Sequence, residues 1–163
     1  MTSIMPCLWF DDRIDEAIAF YTETFKDARV HDLVRHAPDK PAFTAVLELA
    51  GQKLMLLNGG PRFTFNESVS LVIDTDGQEE TDYFWNRLIS EGGEESMCAW
   101  CKDRFGLSWQ VVPRQLTNAL TSPDREGANR AMQAMLQMRK IDVTAIEQAY
   151  TGARQPSPSP HLA

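Results

Sequence analysis

The chemistry-bearing residues in this chain are few, and the most suggestive are two cysteines three positions apart, Cys98 and Cys101, in the stretch SMCAWCKDRFGLSWQVVP (96–113). A C-x-x-C can work as a redox dithiol when its first cysteine opens a helix, because the helix N-terminus lowers the thiol pKa. Here the next residues, KDRFG, lead into a turn, and residues 97–102 read as a strand. Three residues of strand separate the Cα atoms by ~10 Å, beyond the ~7 Å that a disulfide spans. The odd offset also sends the two sulfurs to opposite faces of a sheet, so they cannot share a metal. The expectation is therefore two ordinary strand residues. His31 and His36 are five apart on another predicted strand, again on opposite faces, and His161 lies near the end. Both strand histidines read as surface or structural. Glu48 and Asp103 are the nearest candidates for a general base and Cys7 for a nucleophile, but Asp103 opens the turn-forming Asp-Arg-Phe-Gly.

Other enzyme signatures are missing: there is no G-x-S-x-G elbow, no phosphate loop of the G-x-x-x-x-G-K type and no H-E-x-x-H. Gly59-Gly60 comes after a strand but meets Pro61, so no helix N-terminus is expected there to hold a phosphate. No cofactor is expected, and a Rossmann-type methyltransferase is hard to build from these parts.

The elements that must position these residues can be read from periodicity. Residues 4–10 read as a strand, and Asp11 or Asp12 can cap a helix whose apolar face is Ile14, Ala17, Ile18, Tyr21 and Phe25. Residues 30–36, 43–50 and 53–58 then read as three antiparallel strands, giving βαβββ. After Gly59-Gly60-Pro61 the pattern restarts. Residues 68–74 alternate as a strand, Asp74 or Thr75 can cap, and Thr81, Phe84, Trp85 and Leu88 line a helix closed by Gly92-Gly93. Strands at 97–102 and 107–113 come next, leaving the second pass one clear strand short. Phe20 and Phe84 occupy corresponding points in the two helices, consistent with a weak internal duplication.

Beyond Pro113 the pattern is helical, with Ser122-Pro123 as a start signal, a stripe of Ala128, Ala131, Met132 and Met135, and a shorter one of Val143, Ile146 and Tyr150. The methionines read as core or interface filler. The expected organisation is a first module over 1–60, a second over 61–114, helices over 115–150 and a Pro/Ser-rich disordered tail over 151–163.

Composition bounds the partners. The net charge of −7 repels phosphate backbones, so nucleic acid is not expected. The apolar runs are far shorter than the ~20 residues of a spanning helix, so no membrane partner is expected either. The first residues lack a basic start and a long apolar run, which makes the cytoplasm the expected location. Three cysteines there do not suggest a disulfide framework.

Two βαβββ passes, the first opened by LWFDDRIDEAIAFYTETF, resemble the vicinal oxygen chelate superfamily of glyoxalase I, bleomycin-resistance proteins and extradiol dioxygenases. GGPRFTFNESVSLVI, DGQEETDYFWNRL, CAWCKDRFGLSWQVVP and MQAMLQMRKIDVTAIEQAY are similar to its PhnB-like branch, whose members often carry the label 3-demethylubiquinone-9 3-methyltransferase. The resemblance implies an α+β fold of paired βαβββ modules whose curved sheets form a cup, with C-terminal helices, a small-molecule ligand and a homodimer that often exchanges modules. It implies Leu8 and Phe10 under the first helix, with Cys7 and Trp9 toward the cup. It likewise implies Val69, Leu71 and Ile73 under the second, with Ser68, Ser70 and Val72 inside, and Ser108 and Gln110 facing inward. Metal-using members place His, Glu or Gln on the first and last strands of each unit; the matching positions here are about Met5 or Cys7, Met55 or Leu56, Ser70 and Gln110. That set is poor for a divalent ion, so no metal is expected. The expected activity is metal-free binding of a small aromatic or planar molecule by Cys7, Trp9, Phe63, Phe65, Ser70, Trp100 and Gln110. The alternative is an enzyme, either of the methyltransferase-labelled family or a metal-dependent lyase or dioxygenase.

Overall fold

The apolar run at 4–10 yields a strand only over its last four residues, β1 (Cys7–Phe10), in the computed structural model, which describes residues 2–152. Ile4 is 94% exposed, and strand pairing begins where Met55 N–H has already bonded Pro6 O (2.9 Å). The expected tail falls, from residue 153 on, outside the described residues, as does His161.

Two units are distinct, Met1–Glu67 and Ser68–Ala163. In the first, β1 is succeeded by α1 (Ile14–Thr24), β2 (Arg29–Arg35), β3 (Ala42–Leu49) and β4 (Gln52–Asn58), in the sheet order β1-β4-β3-β2. β1 runs parallel to β4 and the other pairs are antiparallel. Alternation sorts the faces: Leu8, Phe10, Ala45, Leu47, Leu49, Leu54 and Leu56 are buried with Ile14, Ala17, Phe20 and Tyr21 of the helix. Each such large side chain contributes about 1.5–3 kcal/mol by leaving water.

The expected caps Asp11 and Asp12 do not start α1. Arg13 occupies the N-cap without a side-chain capping bond, and the Ile14 N–H is taken instead by Asn58 Oδ1 (3.1 Å) from the end of β4. Asn58 Nδ2 also donates to Ala42 O (2.8 Å), so one amide joins helix start and two strands.

The second unit holds β5 (Ser70–Thr75), α2 (Gly77–Ile89), a 3-10 turn at Ser90–Gly92, β6 (Glu94–Glu95), β7 (Trp100–Lys102) and β8 (Ser108–Pro113), then α3 (Arg114–Thr121), α4 (Arg125–Met135) and α5 (Val143–Thr151). Its sheet order, β5-β8-β7-β6 with β5 parallel to β8, repeats that of the first unit. The strand missing from the sequence pattern is β6, only two residues long.

The structure corrects several expectations. Asp76, not Asp74 or Thr75, is the N-cap of α2, and Glu80 reaches back to its N–H (2.6 Å). Val69 precedes β5 and is 60% exposed rather than packed under a helix. Residues 97–99 are not strand: Cys98 and Ala99 occupy a turn before β7. Ser122 ends α3, and Asp124 starts α4 by accepting from Gly127 N (3.1 Å).

The C-terminal helices build a second core within this unit. Leu116, Ala119, Ala131, Ile141 and Ile146 bury together with Ala99 of the turn, and Met135, Met138, Val112 and Tyr150 pack against them. Met135 is the filler its stripe implied, whereas Met132 is 43% exposed. No described helix is long and apolar enough to cross a membrane.

Candidate functional site

The open face of the first sheet is the side opposite α1. Cys7 pairs with Met55 and Met55 with Val46; Trp9 pairs with Leu57 and Leu57 with Thr44. Cys7 is exposed and Trp9 half-buried, as the alternation of β1 requires. The Trp9 indole is fixed in place. Its Nε1–H donates to Gly60 O (2.9 Å), and its ring meets Phe63 edge-on at 5.1 Å and 77°. Gly59 makes room for it: a Cβ there would stand 2.4 Å from the indole carbons. Phe65 belongs elsewhere, packing edge-on at 5.1 Å against Phe10, whose side chain is buried on the helix side. Trp9 and Phe63 are thus brought together, and Phe65 is not.

At the far edge of the same sheet lies a pair that sequence reasoning did not join. His31 Nε2 and Glu48 Oε2 are 2.6 Å apart, both partly accessible. Regular antiparallel pairing would set His31 against Val46, but the register breaks between Val30 and Asp32. His31 is the extra residue of a β-bulge, and a bulge re-aims the side chain it carries. No local pattern announces this. The surface expectation for His31 stands, with Glu48 as its partner.

In the second unit, Ser70 and Val72 on β5 pair with Ser108 and Gln110 on β8, and Gln110 pairs with Trp100 on β7. These residues share one face, opposite Trp109, Val111 and Cys101, which are buried. Gln110 Nε2 donates to Ser70 Oγ (3.0 Å). Ser108 Oγ, fully buried, has no hydrogen-bond partner among the described residues. A buried hydroxyl left without a partner is uncommon.

The thiols are three free cysteines in different settings. Cys101 is buried, and burial first, then the negative charges of Asp103 and Glu95, push its pKa up to about 12. A thiol held protonated in this way is neither nucleophile nor metal ligand near neutral pH. Cys98 sits with Ala99 in a turn where both residues have positive φ, 58° and 73°, closed by Trp100 N–H to Met97 O (3.1 Å). Only a type I′ turn has both central residues at positive φ, and it ordinarily takes Asn-Gly. For residues with a Cβ the conformation costs about 1–2 kcal/mol each.

Asp103 is an anchor for its turn. Its Oδ1 accepts from Phe105 N (2.9 Å) and Leu107 N (3.1 Å), and its Oδ2 from Trp109 Nε1 (2.8 Å), with Asp103 itself 2% exposed. A carboxylate so occupied cannot take a proton from a ligand without releasing the turn.

A family profile described as 3-demethylubiquinone-9 3-methyltransferase matches residues 2–112 of the chain. Among solved structures, a PhnB protein from Bacillus cereus is 25% identical with a TM-score of 0.62, over 69% of this chain and 99% of that one. A protein from Pseudomonas aeruginosa is 22% identical with a TM-score of 0.57, over 69% and 98%. The fosfomycin resistance protein FosX from Listeria monocytogenes, in complex with Mn(II) and dihydroxypropylphosphonic acid, shares the fold at 13% identity and a TM-score of 0.53, over 69% and 92%. No curated protein matches the chain.

The manganese of FosX raises the question of fit. In the first unit the corresponding strands offer the Cys7 thiol and the Met55 thioether; in the second they offer Ser70 and Gln110, already bonded to each other. No group of three or more His, Cys, Asp or Glu side chains placed to hold a metal occurs among the described residues. Neither set by itself suits a hard divalent cation, the first being soft sulfur and the second neutral oxygen.

Proposed function

The chain belongs to the 3-demethylubiquinone-9 3-methyltransferase-like (PhnB) family, within the vicinal oxygen chelate superfamily, and from that premise we propose that it is a metal-free small-molecule-binding protein of the glyoxalase/bleomycin-resistance type. The ligand is aromatic or planar. On the first unit Cys7, Trp9 and Phe63 form a receiving surface, and on the second Ser70, Trp100 and Gln110 form another. The observation that carries this reading is the seating of Trp9: hydrogen-bonded at Nε1, propped by Phe63 and cleared by Gly59, its ring is immobilised on an open strand face. A ring fixed before binding loses little entropy when a ligand stacks on it. Each ring contact contributes about 1.5–3 kcal/mol by burial, and two or three suffice for micromolar affinity. Ser70 and Gln110 supply orientation.

The test is a titration with naphthol and quinoline monitored by tryptophan fluorescence, on the wild type and on Trp9→Ala and Gln110→Ala. Saturable quenching that either substitution weakens supports the proposal. Quenching that is absent, or indifferent to both, overturns it. Metal independence is checked by calorimetry with manganese and zinc, where a tight one-to-one site would refute it.

A second reading, an enzyme, is favoured by the His31–Glu48 pair, since a carboxylate bonded to one imidazole nitrogen leaves the other to accept a proton. Loss of turnover in His31→Gln, with ligand affinity retained, would establish it. A thermal shift with S-adenosylmethionine tests the methyl-transfer form of the same reading. We further propose that the protein is cytoplasmic and acts as a homodimer.

A further inference from the structure

The α4–α5 loop, residues 136–142, runs against the strained Cys98–Ala99 turn and bonds it directly. Cys98 N–H donates to Met138 O (2.7 Å) and Ala99 N–H to Arg139 O (2.9 Å). The loop itself is tied down along its length. Arg139 Nη1 meets Glu95 Oε2 (3.3 Å) and Lys140 Nζ meets Asp82 Oδ1 (2.7 Å). Gln78 of α2 holds it twice, donating from Nε2 to Ile141 O (3.0 Å) and accepting at Oε1 from Val143 N (2.8 Å). Ile141 and Ala99 then bury in one cluster.

These contacts matter because the turn sets the start of β7. Cys98 and Ala99 hold positive φ without being glycine, a conformation that persists only where surrounding structure dictates it. The next residue, Trp100, opens β7 on the face shared with Gln110. If the turn relaxed to ordinary φ, the short β6–β7 pairing would lose its register, and a one-residue slip turns a side chain to the opposite face. The family match ends at residue 112, so the loop that dictates the turn lies beyond the matched residues.

We propose that the α4–α5 loop, anchored by Gln78, is a positioning device for Trp100: this C-terminal segment clamps the left-handed turn and so selects which planar ligands the second unit accepts. The part concerning ligands rests on the binding function proposed above. The clamp itself does not.

The test uses the full chain with fluorinated tryptophan, the Trp100 resonance being assigned through Trp100→Phe. In Gln78→Ala, amide exchange at Cys98 and Ala99 should quicken about tenfold, the loss expected for two hydrogen bonds, and the Trp100 fluorine signal should shift or broaden. Naphthol affinity should fall about tenfold for the same reason. Adding Cys98→Gly, which adopts positive φ without a clamp, should return the Trp100 signal toward its original position, a rescue that general loss of stability would not give. If Gln78→Ala does not fold, Asp82→Asn releases Lys140 and is read the same way. Unchanged exchange and an unmoved Trp100 signal in the folded variant, or failure of Cys98→Gly to restore it, overturns the clamp. A wild type that exchanges slowly but does not bind naphthol refutes the ligand reading and leaves the clamp standing.

Discussion

At the scale of single residues, Gly59 and Asp103 are the positions where small changes should be felt most. A methyl at Gly59 would collide with the Trp9 indole at 2.4 Å, and the indole cannot yield without breaking its bond to Gly60. Gly59→Ala should therefore destabilise by about 1–3 kcal/mol, as overpacking does, and red-shift the Trp9 fluorescence; urea titration and emission spectra check both. Asp103→Ala removes the acceptor of three donors, one of them the buried Trp109 indole. Leaving such donors unsatisfied should cost about 2–4 kcal/mol by urea unfolding. Cys101 gives a pH dependence of definite sign. Its thiol is raised from 9.0 to about 12 on folding, so the folded state keeps a proton that the unfolded chain releases. Stability from this source is complete below pH 9 and is lost as pH rises from there toward 12. A thiol reagent near neutral pH should modify exposed Cys7 and spare Cys101 until the protein unfolds.

At the scale of elements, the Cys98–Ala99 turn and the α4–α5 loop act as one joint. Cys98→Gly should raise the unfolding free energy by about 0.5–1 kcal/mol, since it removes the strain of positive φ but frees the unfolded chain somewhat. The loop's ion pairs should also register in acid. The Lys140 ammonium, helped by Gln78, holds the Asp82 carboxyl below 3.8, and the Trp85 indole N–H, then Arg139, hold Glu95 below 4.5. Both groups are stabilising when ionised, so their contribution is present above those ordinary values and is lost as pH falls below them. Both carboxylates are 40% exposed, so the effect is small and screened by salt. Protection of the Cys98 and Ala99 amides, taken relative to their intrinsic exchange rates, should fall below pH 4 in low salt, and less so in Asp82→Asn, which has already lost its share; pH about 4 is the ordinary carboxylate range.

At the scale of the whole molecule, the first unit ends its sheet with β2, an edge strand on which Val30, Leu33 and Val34 are 43%, 45% and 50% exposed. Exposed apolar edge strands are seldom left bare in native proteins, which supports the homodimer proposed above. Light scattering on the eluting protein should give twice the 18.4 kDa chain mass, and Val34→Lys should return it to the monomer. An unaltered mass in that variant removes β2 from consideration as the contact.

What the amino-acid order determined by itself is the part governed by local periodicity. The first βαβββ pass, the strand and helix that restart it, and the split of Cys7 and Trp9 from Leu8 and Phe10 come from side-chain period, while the family resemblance implied which face lies under the helix. What only the tertiary structure decided depends on partners far away in sequence. Asn58 caps a helix that Asp11 and Asp12 could have capped, because β4 ends beside its first turn. His31 meets Glu48 across two strands whose pairing carries a bulge at that point, and only the folded sheet joins them. Phe65 joins Phe10 rather than Trp9. Cys98 leaves the strand its neighbours predicted because a loop some forty residues later supplies the carbonyls that hold it in a turn its own side chain disfavours. Period and propensity are properties of neighbouring residues, whereas caps, bulges and strained turns are held by long-range hydrogen bonds that exist only once the chain has closed on itself.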